Sequence, residues 1–267
     1  MPVEVPCGQC VGCRLERSRQ WAIRCYHEAQ LHEENAFITL TYDDDHLPEG
    51  STLVKKHYQD FMKRLRFRYR DRTIRYFQCG EYGETTHRPH YHACLFGFDF
   101  TDKRLFSTRG GVRLYTSDEL NLIWGMGHCT VGEVTFQSAA YVARYIMKKV
   151  TGDEAEKHYE ILDPDTGEIY SREPEYTTMS RRPGIGKGWL EKYHDEVYPS
   201  DFIVVNGVRM QPPKYYDAQQ PEESLEWLKH ARVKRAASRA HDNTPERLRT
   251  REKVKKAQLG HLKRTVE

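Results

Sequence analysis

The stretch Arg88-Pro-His-Tyr-His-Ala-Cys-Leu-Phe-Gly97 constrains this chain more than any other. Tyr91, Cys94, Leu95 and Phe96 suit a strand, and Pro89 and Gly97 punctuate its ends. Side chains alternate along a strand with a period of two, so His90 and His92 point to the same face. Two imidazoles side by side offer half of a divalent-metal site. An isolated pair is more often a polar pattern on a half-buried strand. A functional reading therefore needs a third ligand and a nucleophile from elsewhere in the chain.

Residues 73–80 read as the preceding strand, and the short connection from Glu81 to Pro89 makes the two an antiparallel hairpin. Glu81 then sits at the mouth of that hairpin, where its carboxylate reaches the histidine face, ahead of Glu84 and His87 as third ligand. Upstream, a helix is expected over 14–33, with Leu15, Ala22, Cys25 and Ala29 as its apolar stripe beside Trp21. Asn35 breaks it before the strand Phe37-Ile-Thr-Leu-Thr-Tyr42. A second helix over 54–70 sets Tyr58, Phe61, Met62, Leu65 and Tyr69 against Lys63, Arg64, Arg66 and Arg68 among other basic residues. Aromatic and basic residues interleaved in this way suit single-stranded nucleic acid, although a charged helix face is commonly plain solvation.

Downstream, Ser117 is expected to cap a short helix to Trp124, and residues 129–136 read as another strand. Ser138 then opens a helix carrying Tyr141 and Tyr145, four apart and so on one face, with Lys148 and Lys149 a turn further on. Residues 151–216 are loop-rich, with hairpin turns at 163–167 and 205–208. Within them, Ser180-Arg-Arg-Pro-Gly-Ile-Gly-Lys-Gly188 is basic and glycine-rich, so its backbone amides can approach a phosphate alongside Arg181, Arg182 and Lys187. It lacks the G-x-x-x-x-G-K-[ST] pattern of a nucleotide-binding loop.

Charge is unevenly spread over the 267 residues. Residues 229–267 hold 13 Lys and Arg against 4 Asp and Glu, while the rest holds 29 against 35. The body is therefore no general polyanion binder, and any nucleic-acid surface on it must be local, with the tail as a basic arm. The N-terminal Cys7-Gly-Gln-Cys10-Val-Gly-Cys13 offers three thiolates for a structural zinc, with Cys25, His27, His128 or Cys129 as candidate fourth ligands. Seven cysteines and no export signal argue against a disulfide framework. Mean hydropathy is -0.83 and no run has the length of a membrane span, so a soluble protein of a cell's cytoplasm is expected.

Three motifs now stand in order: Phe-Ile-Thr-Leu-Thr, Pro-His-Tyr-His, and Tyr-x-x-x-Tyr-x-x-Lys-Lys. That order resembles the HUH endonucleases, named for His–hydrophobic–His, which initiate rolling-circle replication. PCGQCVGCRLERSRQW, FITLTYDD, RPHYHACLFGF, YVARYIMKK and SRRPGIGKGW together resemble the replication-associated proteins of the gokushoviruses, within the Microviridae. The resemblance spans most of residues 6–216. It implies an α+β fold: a nuclease core with a five-stranded antiparallel sheet flanked by helices, similar to an RRM or ferredoxin-like arrangement. The expected organisation is a Cys-rich segment and first helix over 1–35, the core over 36–150, a loop-rich extension over 151–216, and a basic helical or partly disordered tail over 217–267.

By the same resemblance His90, His92 and Glu81 hold Mg²⁺ or Mn²⁺. Tyr141 and Tyr145 are nucleophiles, and Lys148 or Lys149 is the accompanying cation. The implied reaction nicks a single-stranded viral origin, forms a 5′-phosphotyrosine bond, frees a 3′-OH and later rejoins the strand. The implied partners are a host helicase and DNA polymerase in a bacterial cytoplasm, with no membrane. Two other readings stand beside it: a non-catalytic RRM-like nucleic-acid-binding module, and a transposase- or relaxase-type strand transferase of the same fold.

Overall fold

The computed structural model describes residues 5–83, 86–144, 149–150, 152, 154–162 and 167–261. In chain order the elements are α1 (Val11–Ala29), β1 (Asn35–Thr41), α2 (Lys55–Arg68), β2 (Arg75–Tyr82), β3 (Pro89–Phe96), β4 (Arg104–Arg109) and β5 (Val112–Thr116). There follow α3 (Asp118–Trp124), β6 (Cys129–Gly132), α4 (Phe136–Arg144), α5 (Ala155–Tyr159), β7 (Glu160–Leu162), β8 (Ile169–Ser171) and β9 (Tyr176–Met179). The last are α6 (Lys187–Val197), β10 (Ile203–Val205), β11 (Val208–Met210), α7 (Lys214–Asp217), α8 (Glu222–Ser238) and α9 (Pro245–His261). Residues 18–192 form one compact unit, and residues 1–17 with 193–267 form another.

The larger unit is built on a sheet of seven strands in the order β4-β5-β6-β1-β3-β2-β9, rather than the five expected. Every pairing in it is antiparallel. The additional width comes from short strands. β9 has four residues and pairs with the outer side of β2, while β4 and β5 form a hairpin beyond β6. Each closes a row of backbone donors and acceptors that would otherwise stand open.

One face of the sheet carries Ala36, Ile38, Leu40, Tyr91, Ala93 and Leu95, all fully buried against Tyr58, Phe61, Met62 and Leu65 of α2 and Leu120, Ile123 and Trp124 of α3. The apolar stripe of α2 anticipated this packing, and Tyr69, also expected on the stripe, packs half-buried on the same cluster. The chain places caps where these helices end. Ser117 Oγ accepts from Leu120 N at 3.0 Å at the start of α3, as its residue type predicts. At the other end of α3, Arg64 donates to Ile123 O at 2.7 Å and Trp124 O at 3.0 Å, satisfying carbonyls the helix cannot pair. Asn35 Nδ2 closes α1 by donating to Ala29 O and His32 O.

The opposite face is covered by α1 and α4. Trp21 stacks on Phe77 with ring centroids 4.9 Å apart, and Tyr26 meets Phe136 edge-on at 6.1 Å. Because helices lie on both faces, all eight residues of β3 are buried. Gly97 ends that strand at φ +77°, where a side chain would also stand 2.9 Å from Thr73 O.

Two boundaries differ from expectation. The strand expected over 129–136 ends at Gly132, and α4 begins at Phe136 instead of being capped by Ser138. The cap is reciprocal: Ser138 N donates to Thr135 Oγ1 at 3.1 Å while Thr135 N donates to Ser138 Oγ at 2.7 Å. This is the geometry of a capping box, with serine in the position glutamate usually holds.

In the smaller unit, the expected turn at 205–208 is a tight hairpin between β10 and β11, with Asn206 and Gly207 both at positive φ. Within the larger unit, β7 and β8 pair as the other expected hairpin requires, although residues 163–166 of its turn lie outside the described residues. The described part of the tail is helical, as α8 and α9. Arg232 of α8 is held by Asp201 and Asp217, and Tyr198 donates to Asp217 at 2.7 Å. Among the described residues no helix is long and apolar enough to cross a membrane.

Candidate metal and nucleophile site

Strand register builds the site. Glu81 lies opposite His90 in the β2–β3 pair and Cys79 opposite His92, while Thr39 and Thr41 of β1 lie opposite His92 and His90. Residues directly across a pair share a face, so Glu81, His90, His92 and Thr39 all project to the side covered by α1 and α4. Glu81 is therefore an interior strand residue paired with His90, not a residue at the hairpin mouth. The ladder runs one pair further, to Tyr82 and Pro89. Glu84 lies outside the described residues, and His87 is exposed in the connecting turn.

Glu81 Oε1 stands 2.8 Å from His90 Nε2 and 2.9 Å from His92 Nε2, and all three side chains are at most 6 % exposed. The donor atoms of the three lie within 4.8 Å of one another, a group able to hold a metal ion. Burial alone would raise the Glu81 carboxyl. Hydrogen bonds and charge from His90 and His92 outweigh it and hold the group down at about 2.

The outer ring nitrogens show why the donor set fits a cation. His90 Nδ1 donates to the backbone carbonyl of Arg88 at 3.1 Å, and a carbonyl only accepts, so that nitrogen carries a proton. The remaining lone pair, on Nε2, faces a carboxylate oxygen. A second proton or a cation must lie there to offset the repulsion, and imidazole with carboxylate is a donor set for divalent ions. His92 Nδ1 is held by Thr39 Oγ1 at 2.9 Å, so both imidazoles are oriented from behind.

Tyr141 of α4 packs against the triad. Its ring meets that of His92 edge-on with centroids 5.1 Å apart and that of Phe37 at 6.3 Å, and the Arg144 guanidinium lies 5.8 Å from its centroid. Phe37 in turn stacks on His92 at 5.7 Å. Tyr145 and Lys148 lie outside the described residues, and Lys149 is exposed. The structure thus brings Glu81, His90, His92 and Tyr141 together, while Thr39, Phe37 and the Arg88 carbonyl belong to the same cluster without having been singled out in the sequence. Thr39 follows the two-residue alternation of its strand, but only the register of β1 on β3 identifies its partner.

The cysteines Cys7, Cys10 and Cys13 also converge, with donor atoms within 4.8 Å and Cys7 Sγ 3.9 Å from Cys13 Sγ. Backbone N–H groups of Cys10 and Gln9 bring the Cys7 thiol down to about 7, toward the thiolate that binds soft metals. Of the residues considered as a fourth ligand, Cys25 and Cys129 are buried with their thiols pushed up by desolvation, and His27 is buried and stacked on Trp189.

The basic residues expected to meet nucleic acid have varied surroundings. Arg64 caps α3, Lys63 pairs with Asp60, Arg68 pairs with Glu119, and Lys187 lies 3.5 Å from Glu191. Arg66 donates to Ile74 O at 2.8 Å, while Arg181 and Arg182 are exposed. In the glycine-rich segment, the amide of Gly186 donates to Glu28 Oε2 at 2.6 Å, so an internal carboxylate occupies the donor that a phosphate was expected to take. Glu28 is 2 % exposed and also accepts from Arg75. Burial pushes its carboxyl up, but bonds from His32, the Gly186 amide and Arg75 outweigh this and hold it below the ordinary range. Glu28→Ala leaves Arg75 and that amide without their buried acceptor and is expected to destabilise the protein by about 3–5 kcal/mol. Urea denaturation measures this. A loss under about 1 kcal/mol shows the latch to be incidental.

Comparison with known proteins locates the chain. The family described as Replication-associated protein ORF2/G2P matches residues 35–150. Replication-associated protein VP4 of Bdellovibrio phage phiMH2K is 36 % identical over 240 residues, covering 86 % of this chain and 72 % of that protein. Replication-associated protein ORF2 of Spiroplasma virus 4 is 34 % identical, covering 86 % of this chain and 73 % of its own length. Replication-associated protein ORF4 of Chlamydia phage 1 is 34 % identical over 223 residues, covering 79 % of this chain and 52 % of that protein. No solved structure matches.

Proposed function

We propose a reaction for this chain from the premise that it belongs to the replication-associated proteins of gokushoviruses, the initiators of phage DNA replication. In this reading it is an HUH nuclease. It cuts one strand of single-stranded phage DNA at the origin by tyrosine attack, and later rejoins the strand. The observation that carries the reading is the Tyr141 ring lying 5.1 Å from that of His92, one of three residues whose donor atoms converge within 4.8 Å.

Glu81, His90 and His92 would hold Mg²⁺ or Mn²⁺, and imidazole donors favour Mn²⁺. Held by these residues, such a cation would supply Lewis-acid stabilisation of the charge that builds on the phosphate in the transition state. Thr39 and the Arg88 carbonyl fix the imidazoles so that their Nε2 atoms point inward. A phenol with a pKa of ~10 must lose its proton to attack phosphorus. The Tyr141 oxygen forms the new bond, the phosphorus–O3′ bond breaks, and O3′ leaves as a hydroxyl after taking up a proton. The 5′-phosphotyrosine bond preserves the energy of the broken ester, so rejoining needs no nucleotide cofactor. Tyr145 would provide a second nucleophile for the cut that ends a round, with Lys148 or Lys149 as a cation beside the phosphate.

The five-stranded core of such nucleases would be the inner part of the seven-stranded sheet, within residues 36–150. Cys7, Cys10 and Cys13 would hold a structural zinc with a fourth ligand. A host helicase and polymerase would extend the freed 3′-OH inside the bacterial host.

The test is a covalent-adduct assay: purified protein, circular single-stranded phage DNA, and Mn²⁺ or EDTA, resolved on a denaturing gel. A DNA–protein band that survives denaturation, requires the cation and maps by peptide mass to residues 141–145 is the expected result. Intact DNA binding with no adduct on any origin-bearing strand would overturn the nuclease and leave a binding module.

A further inference from the structure

The end of β2 away from Glu81 lies in a cleft of about 580 Å³ lined by six arginines: Arg66, Arg70, Arg72, Arg75, Arg181 and Arg182. They come from three separate stretches: α2 with the turn after it, the first residue of β2, and the segment following β9. The lining contains no Asp or Glu. Arg75 is neutralised by Glu28 and Arg72 by Glu34. Among the described residues, Arg66, Arg70, Arg181 and Arg182 have no carboxylate partner. Such a concentration of guanidinium groups without carboxylate partners, on a body of negative net charge, makes a local positive potential that attracts an anion.

The cleft also has an aromatic neighbour. Phe67 is 73 % exposed, and Arg70 lies over its ring at 5.1 Å. An exposed ring beside unpaired guanidinium groups is the pairing that holds unstacked bases and their phosphates together, and a duplex offers no free base faces to such a ring. Arg75 and Glu81 are six residues apart on one strand, which puts the cleft roughly 20 Å from the triad.

We infer that this cleft is a phosphate clamp for single-stranded DNA, in which Arg70, Arg181 and Arg182, steadied by Arg66, hold the backbone at a point separate from the phosphate at the triad. The inference rests on the single-strand substrate proposed above but not on cutting. The clamp supplies affinity and directional register, while the triad and tyrosine supply chemistry. A strand too short to bridge the two sites binds through only one of them.

The experiment measures affinity for an oligothymidylate of about 20 nucleotides against salt, between about 50 and 200 mM, in EDTA so that no strand is cut. The proteins are wild type, the triple variant Arg70→Gln/Arg181→Gln/Arg182→Gln, and the triple lysine variant at the same positions. Each phosphate contact on a single strand contributes about 0.7 to the slope of log affinity against log salt, so the glutamine variant is expected to lose about 2 from that slope. A fourfold rise in salt should then weaken wild type about 20-fold more than the glutamine variant. The lysine variant, which keeps the charge, should retain the wild-type slope, separating loss of contacts from loss of fold. An unchanged slope in the glutamine variant overturns the clamp, as does a loss seen with duplex DNA and not with the single strand. Because no chemistry takes place, these outcomes are independent of the adduct assay.

Discussion

Replacing Tyr141 and Tyr145 together by phenylalanine is expected to abolish the covalent adduct, with a fall in cleavage on the order of 10⁴–10⁶, as when a nucleophile is removed from a covalent catalyst. Phenylalanine keeps the ring that meets His92 and Phe37 and lies under Arg144, so the packing of α4 survives and only the oxygen is lost. Tyr141 is the ring seated against the triad, so Tyr141→Phe alone should remove most of the first cut, whereas Tyr145→Phe should still form an adduct. Quantifying adduct on a denaturing gel in single turnover separates these cases. Full adduct formation by the double variant would show that the nucleophile lies elsewhere.

Glu81→Gln is expected to weaken Mn²⁺ binding by more than about 100-fold, since disturbing outer-sphere partners alone weakens metal sites by about 10–100-fold. The substitution preserves shape but removes the charge, and its amide can donate to an imidazole nitrogen that the carboxylate can only accept from. Titration calorimetry with Mn²⁺ measures the affinity directly, and Mn²⁺ should raise the melting temperature of wild type and not of the variant. Equal affinities would remove Glu81 from the ligand set. The same residue gives a pH signature. Its carboxyl is held at about 2 in the fold against an ordinary 4.5, so its contribution is fully present above about pH 4.5 and is lost as pH falls toward 2. Measured without metal, wild type should lose stability over that window more steeply than Glu81→Gln.

Both predictions depend on register, which the sequence conveys only in part. The histidine strand was legible because Pro89 and Gly97 bracket it and its residues suit a strand. Whether Glu81 ended its own strand or lay within it was not, because that depends on the Tyr82–Pro89 pair forming across the hairpin. The apolar stripe of α2 was legible through its helical spacing, but the acceptors taken by Arg64 and Arg66 were not, because side-chain partners come from distant segments. β9 was invisible for a related reason. Its four half-buried residues follow Pro174 and have no long alternating pattern, so only pairing with β2 makes them a strand. Ser138 was legible as a capping residue but misplaced by three positions, since Thr135 shares the cap with it.

The placement of Glu81, His90 and His92 on one hairpin has a consequence for how the site comes into being. Glu81 is 9 and 11 residues from His90 and His92, whereas Tyr141 is 49 residues beyond His92. Bringing the tyrosine home therefore closes a longer loop, an added entropic cost of about 1.4 kcal/mol, and requires β6 and α4 to be in position. The convergence of Glu81, His90 and His92 is a local property of the chain, while their meeting with Tyr141 is a long-range one. Damage far from the hairpin would part Tyr141 from the three side chains and leave those three still together.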